Sequence, residues 1–219
     1  MATKKNYHHG DLRQELLDTA LKIISEQGLD KVSMRGLGQR LGVSRTAPYR
    51  HFEDKSALLC AIAEEGYKEL TRVLNLSNQQ LTNDSLTRLK NTGIAYVEFA
   101  IANPVHYRIM FGNEILESKR TPELLKAAGV TFNELLYAVK VCQDEGLVKP
   151  LNSYVVANTL WAMTHGISTL LIDGQIQAVN ALMGLPALLQ PGKDTGKVDV
   201  EKIFDAMGEV VFTGLLEDF

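Results

Sequence analysis

Residues 33–58 constrain this chain more than any other stretch. Ser33 opens a short segment with Met34, Leu37 and Leu41 at helical spacing, Gly42 interrupts it, Ser44 opens a second segment, and Asp54 opens a third. Ser and Asp are N-cap residues, whose side-chain oxygen accepts a backbone N–H of the first helical turn. Gly42 supplies the positive φ that a tight turn between helices needs. The pattern predicts one helix from Ser33 to about Leu41 and a second from Ser44 to near Phe52. A third opens at Lys55 and carries Leu58, Leu59, Ile62 and Leu70. The middle segment is cationic and polar. This is the layout of a helix-turn-helix that lays its second helix in the major groove, so the implied partner is duplex DNA.

The rest of the chain also reads as helix. Leu12, Leu16, Leu17, Ala20, Ile23 and Ile24 recur on one helical face, with Asp11 as N-cap and Gly28 at the far end. Further helices are expected over 86–102, 105–111, 122–145, 153–172 and 200–216, with a Gly/Pro/Lys-rich loop at 184–199. Pro104, Gly146 and Asp173-Gly174 mark three of the stops. No strand pattern and no internal repeat emerges. The expected architecture is all-α: a helix-turn-helix head over 1–56 and a larger helical regulatory and dimerisation body over 57–219. No flexible linker divides them, so the helix opening at Lys55 is expected to be shared.

Charge distribution supports the same division. The net charge is −3, yet residues 1–60 hold ten Lys/Arg against seven Asp/Glu, leaving 13 against 19 in the remainder. A basic end on an acidic body fits a DNA-binding head and argues against a non-specific architectural binder. A hydrophobic fraction of 45% excludes a disordered chain. Cys60 and Cys142 lie in apolar helical patterns and read as small buried hydrophobes, not as a disulfide framework or metal site. His8-His9 lacks the further ligands a metal needs, and with Lys4 and Lys5 reads as a polar arm along the DNA. No cofactor is expected. The chain shows no nucleophile–base pair, phosphate loop or metal spacing, which points away from an enzyme. The N-terminus has no apolar signal core, and no uninterrupted apolar segment is expected to span a bilayer. These readings imply a cytoplasmic protein without a membrane partner.

Within the head, phosphate contacts would hold register and base contacts would read sequence. Ser33 can offer its hydroxyl and the start of its helix to a phosphate, with Arg35 beside it. Tyr49 and His51 have polar tips that reach phosphate, although Tyr49 can equally pack between helices. Arg45, Thr46, Ala47 and Arg50 are placed to meet base edges. Arginine grips guanine O6 and N7, and Thr or Ala touches the thymine methyl. Leu37, Leu41, Val43 and Phe52 read as core, and Arg13 and Lys22 as solvated charges. One head has a small footprint. A homodimer with heads roughly 34–36 Å apart would read a palindromic operator. The apolar segments 153–172 and 200–216 are the candidates for its seam, the alternative being the core of a monomer.

Ser33, the Gly42-Val43-Ser44 turn, and Tyr49-Arg50-His51-Phe52 followed by Lys55 and Leu58 resemble the helix-turn-helix signature of the tetracycline-repressor (TetR) family of bacterial regulators, over roughly residues 10–60. Trp161, His165 and Gly166 resemble the Trp-His-Gly element of one subclass of its C-terminal domains, and 103–111 is similar to a segment of that subclass. The resemblance implies that Lys55 anchors a phosphate and that the last two helices of each subunit form a four-helix dimer interface. It also implies a body pocket for a small hydrophobic or aromatic effector that releases a repressor from DNA. Candidate lining residues are Tyr96, Phe99, Met110, Phe111, Phe132, Trp161 and His165; the alternative is that they are ordinary core, with His165 a satisfied buried histidine. Two departures stand out. Leu37-Gly38 replaces the family's common Ile-Ala, and a mid-helix glycine costs about 1 kcal/mol while allowing close packing. Pro48 removes a backbone donor and disfavours helical geometry at Ala47, so the recognition helix is expected to start irregularly.

Overall fold

The structure, a computed structural model, describes residues 11–79, 84–176 and 199–205. In chain order its helices are α1 (Leu12–Gln27), α2 (Met34–Arg40), α3 (Lys55–Asn78), α4 (Ser85–Ala102), α5 (Pro104–Phe111), α6 (Pro122–Asp144) and α7 (Ser153–Ile172). Short 3-10 turns fall at Leu29–Lys31, Pro48–Arg50 and Glu117–Lys119, and residues 200–205 begin a further helix. The fold is all-α, with no strand among the described residues. The N-terminal arm, most of the 184–199 loop, and Met207, Val210, Val211 and Leu215 of the last expected helix lie outside the described residues.

Helix starts follow the capping residues. The N–H groups of Gln14, Gly36, Ala57 and Thr87 donate to the side chains of Asp11, Ser33, Asp54 and Asp84 at 2.8–3.1 Å. Asn152 accepts from Tyr154 and Val155 at the head of α7, and Asp199 from Lys202 at the head of the last helix. Gly42 follows α2 with φ +68°, a conformation that would strain any side chain with a Cβ.

The described chain gathers into two compact units. One comprises residues up to Gly66 together with Val105–Lys126, and the other comprises 67–104 with the chain from Ala127 onward. The helix α3 passes from the first into the second at Gly66–Tyr67, so it is shared, as the missing linker implied. This first unit runs past residue 56, the end of the expected head, along α3 to Gly66, and it includes α5 and the loop after it, which lie far away in sequence.

In the first unit, α1 packs on α2 and on the Leu29–Lys31 turn, and α2 packs on the Pro48–Arg50 turn. Leu16, Leu17, Leu37, Leu58 and Ile62 are fully buried. Gly66 lets α5 lie close to α3: a Cβ there would meet Met110 Sδ at 2.5 Å and His106 Cβ at 3.3 Å. In the second unit, α4 packs along α7. One core cluster joins Leu89, Leu136, Val139, Cys142, Val148, Val156 and Ala157, and another joins Val97, Leu171, Val200, Ile203 and Phe204. Burial pushes the Cys142 thiol up to about 11, in keeping with a packing role.

The segment α7 is long and apolar enough to cross a membrane by length and composition, which the sequence reading did not expect. Two of its polar side chains nevertheless find partners within the fold: Ser168 is fully buried and donates to Thr164 C=O, and His165 meets Tyr96.

Gly93 and Gly129 offer a paired test of this packing. A Cβ on Gly93 would lie 2.4 Å from Cε1 of the buried Phe204 ring, whereas one on exposed Gly129 would meet nothing within 4 Å. Gly93→Ala is expected to destabilise the second unit by roughly 1–3 kcal/mol. Gly129→Ala is expected to stabilise it by up to about 1 kcal/mol through helix propensity. Thermal melts read both signs.

Candidate nucleic-acid interface

The segment expected to be the recognition helix is not a regular α-helix. From Ser44 to Phe52 the backbone closes mainly i→i−3 bonds: Ala47 N–H to Ser44 C=O, Arg50 to Ala47 and His51 to Pro48, each at 3.1 Å. Phe52 N–H returns to Pro48 C=O at 3.1 Å, the one i→i−4 closure of that set. Pro48 brings no N–H to the ladder, and the chain answers by tightening into a 3-10 turn over Pro48–Arg50. Ala47 nevertheless keeps helical dihedrals (φ −58°, ψ −44°), so the hydrogen-bond pattern gave way and the backbone region did not. Ser44 is correspondingly not a side-chain cap. Its hydroxyl pairs with that of Thr46 at 3.2 Å.

Gly38 explains how this turn seats on α2. A Cβ at Gly38 would stand 3.2 Å from Pro48 Cγ and 3.3 Å from Ser44 C=O, closer than side chains normally approach. Pro48 fills that site and is fully buried. The glycine and proline that depart from the common pattern are therefore in contact.

The turn faces solvent with its charges outward. Arg45, Thr46, Tyr49, Arg50 and His51 are exposed, and Ala47 is half-buried. Tyr49 is 48% exposed, so its ring is partly covered by the protein and partly open to solvent. Arg35 and Ser33 are also exposed, and the Ser33 Oγ that caps α2 accepts from Gly36 N–H at 3.1 Å, leaving its own O–H to donate elsewhere. Arg13 is not merely a solvated charge: its guanidinium lies 5.3 Å above the ring of buried Phe52.

Lys55 is held more firmly than its motif suggested. Its Nζ donates to Leu29 C=O at 2.8 Å, tying the start of α3 to the loop before α2. The neighbouring Asp54 carboxyl lies below the usual carboxylate range because Ala57 N–H and Lys119 both favour its charged form.

In the second unit, α4, α6 and α7 bring Tyr96, Phe132, Trp161 and His165 together. Trp161 Nε1–H donates to Tyr96 Oη at 3.2 Å, Tyr96 Oη lies 3.3 Å from His165 Nδ1, and Phe132 meets Trp161 edge-on at 6.3 Å. Tyr96 and Trp161 line a cavity with Leu74, Thr92, Gly93, Leu135 and Thr164. Its volume of about 30 Å³ suits a water molecule, not an effector. Phe99 is buried on α4, while Met110 and Phe111 belong to α5 in the first unit, where Phe111 packs on Tyr107 at 4.8 Å.

Burial holds the imidazoles of His165 and His106 below the ordinary histidine value. Folding therefore disfavours their protonation. The stability they permit is present in full above pH ~6.5 and falls as pH drops below it. Thermal melts between about pH 7.5 and 5.5 are expected to show Tm constant at first and then declining.

With this geometry in place, the comparisons with known proteins identify the lineage. The family model for bacterial regulatory proteins of the tetR family matches residues 16–62, and that for a tetracyclin repressor-like C-terminal domain matches 89–185. The chain belongs to the tetR family. A Rhodococcus sp. RHA1 structure described as a protein with unknown function is 29% identical, with TM-score 0.77, covering 98% of this chain and 100% of that one. Nucleoid occlusion factor SlmA of Haemophilus ducreyi is 31% identical over 105 residues, 48% of this chain and 52% of that protein. The HTH-type transcriptional repressor Rv1474c of Mycobacterium tuberculosis is 39% identical over 66 residues, 30% of this chain and 35% of that protein. The chain thus spans about half the length, or less, of these two curated relatives. The family matched over residues 16–62 is one of bacterial regulatory proteins.

Proposed function

We propose that this regulator is a repressor that binds a palindromic operator as a homodimer and leaves it when a small apolar or aromatic effector binds the body. The observation that carries the reading is the outward cationic turn, with Arg45 and Arg50 exposed on a unit whose Leu16, Leu17, Leu37 and Pro48 are fully buried. Arg45, Thr46, Ala47 and Arg50 read base edges; Ser33, Arg35, Tyr49, His51 and Lys55 hold phosphates. Val155 and Leu170 are exposed on α7 at 61% and 45%, and Ala162 between them is also exposed, which supports a subunit seam along this helix. The Tyr96–Trp161–His165 cluster supports an effector site of the Trp-His-Gly kind. It combines aromatic walls with polar tips, and it must open beyond its present volume to admit a ligand. The protein meets its DNA in the cytoplasm.

The name of the SlmA relative favours a second reading, in which DNA binding serves nucleoid occlusion and not promoter control. Selection of bound sites from random duplexes tests the first. A repressor is expected to enrich one palindrome, bound at least about 10³-fold tighter than random duplex. A dimer mass in light scattering and loss of the shift with aromatic effectors complete the test. Absence of any enriched palindrome would defeat the repressor reading. Enriched sites dispersed around a chromosome with no promoter bias would favour the second.

A further inference from the structure

The loop after α5 belongs to the same compact unit as the helix-turn-helix and ends beside the start of α3. Its main chain is pinned twice. Ile115 is buried, and the Cys60 thiol on α3 donates to Lys119 C=O at 3.3 Å. Burial raises the Cys60 thiol pKa, so it stays a neutral donor. The 3-10 turn Glu117–Lys119 then carries the Lys119 ammonium to 3.3 Å from Asp54 Oδ2. Asp54 Oδ1 caps α3, and Lys55 is the next residue. Lys119 stays 53% exposed through this contact, and Arg120 beside it is exposed. Of the two acids in the loop, Glu114 folds back over Gly112 and Glu117 stands at the other end of the turn.

We propose that Lys119 and Arg120 form a second phosphate-binding element of the DNA interface, supplied from outside the helix-turn-helix sequence. Capping α3 places a carboxylate next to Lys55, on the edge where phosphate is held. An unneutralised carboxylate there would repel DNA. Lys119 cancels it and still presents N–H donors to solvent, and Arg120 adds a permanent cation. The element reads no bases. It lengthens the phosphate track of each half-site.

The inference rests on this chain binding DNA, and the experiment separates the two. Affinities of the full chain for its selected site and for random duplex are measured across about 50–200 mM salt. Wild type, Lys119→Ala/Arg120→Ala, Lys119→Arg/Arg120→Lys and Asp54→Asn are compared. The alanine pair is expected to weaken both duplexes alike and to lower the slope of log K against log salt by about 0.9 per lost contact. Over that fourfold range wild type then loses roughly tenfold more affinity per half-site than the alanine pair does. The charge-keeping pair is expected to retain the wild-type slope. Asp54→Asn keeps a good cap and removes a negative charge, so binding is expected to hold or tighten. An unchanged slope in the alanine pair overturns the proposal. So does a loss in Asp54→Asn equal to that in the alanine pair, since the ion pair would then only pin the loop. Wild type that binds neither duplex overturns the DNA-binding premise itself.

Discussion

Replacing Phe52 by alanine is expected to destabilise the first compact unit by roughly 3–5 kcal/mol, the usual cost of deleting a buried aromatic ring. Phe52 is 5% exposed and stands where the chain leaves the 3-10 turn and turns into α3. Its N–H closes on Pro48 C=O, and Arg13 covers its ring from α1. The substitution therefore opens a cavity beneath the turn and removes the ring that Arg13 covers, while the backbone bond to Pro48 C=O remains available. A single domain is stable by only about 5–15 kcal/mol, so a large share of the fold's margin goes with it. Urea unfolding is expected to show a lower midpoint for the first unit, with DNA binding lost on warming and recovered on cooling. Tyr49→Phe, at a half-exposed ring, is the control and is expected to stay within about 0.5 kcal/mol. A midpoint for Phe52→Ala as close to wild type as that of the control would show that the ring does not organise the head.

Arg45→Ala and Lys55→Ala are expected to fail differently. Arg45 is exposed on the turn, so its removal is expected to cost roughly 1–3 kcal/mol at one base position, up to about a hundredfold, and to relax preference there. Random duplex should be affected far less. Lys55→Ala is expected to weaken all sequences uniformly and to lower the salt slope by about one per half-site. It also loses the bond to Leu29 C=O, so it is expected to lower stability, which Arg45→Ala should not do. Binding curves against matched and single-substituted operators, taken with melting curves, distinguish the two. Equal losses on every sequence for both variants would reject the division between base reading and phosphate holding.

The parts of this fold that were legible in the sequence are those governed by neighbours along the chain. Asp11, Ser33 and Asp54 cap helices because a short oxygen-bearing side chain reaches an N–H three residues on. Gly42 marks the turn because of its own dihedral. The recognition segment shows where such signals compete. Ser44 looks like a cap and Pro48 like an irregularity, and the outcome is a ladder of i→i−3 bonds around a proline buried on Gly38. The sequence names both a donor lost at Pro48 and disfavoured helical dihedrals at Ala47; the lost donor shapes the turn, whereas Ala47 keeps helical dihedrals.

The aromatic set of the body was legible only as candidates. Tyr96, Phe132, Trp161 and His165 meet, whereas Met110 and Phe111 are held in the other compact unit. Every one of them sits at apolar helical spacing, and spacing reports which face is buried without naming what it is buried against.

By itself the sequence determined that this chain is helical, where most of its helices start and stop, and which short segment carries the outward cationic charges. Each of these follows from interactions within about four residues. Only the tertiary structure decided that α5 and its loop join the first compact unit, that Lys119 meets Asp54, and that Trp161 meets Tyr96. Each of those last two pairs is 65 residues apart in the chain. No local preference specifies such pairs; they form because burying apolar helix faces against one another leaves few arrangements, and the polar tips then find whatever partner the packing brings within reach.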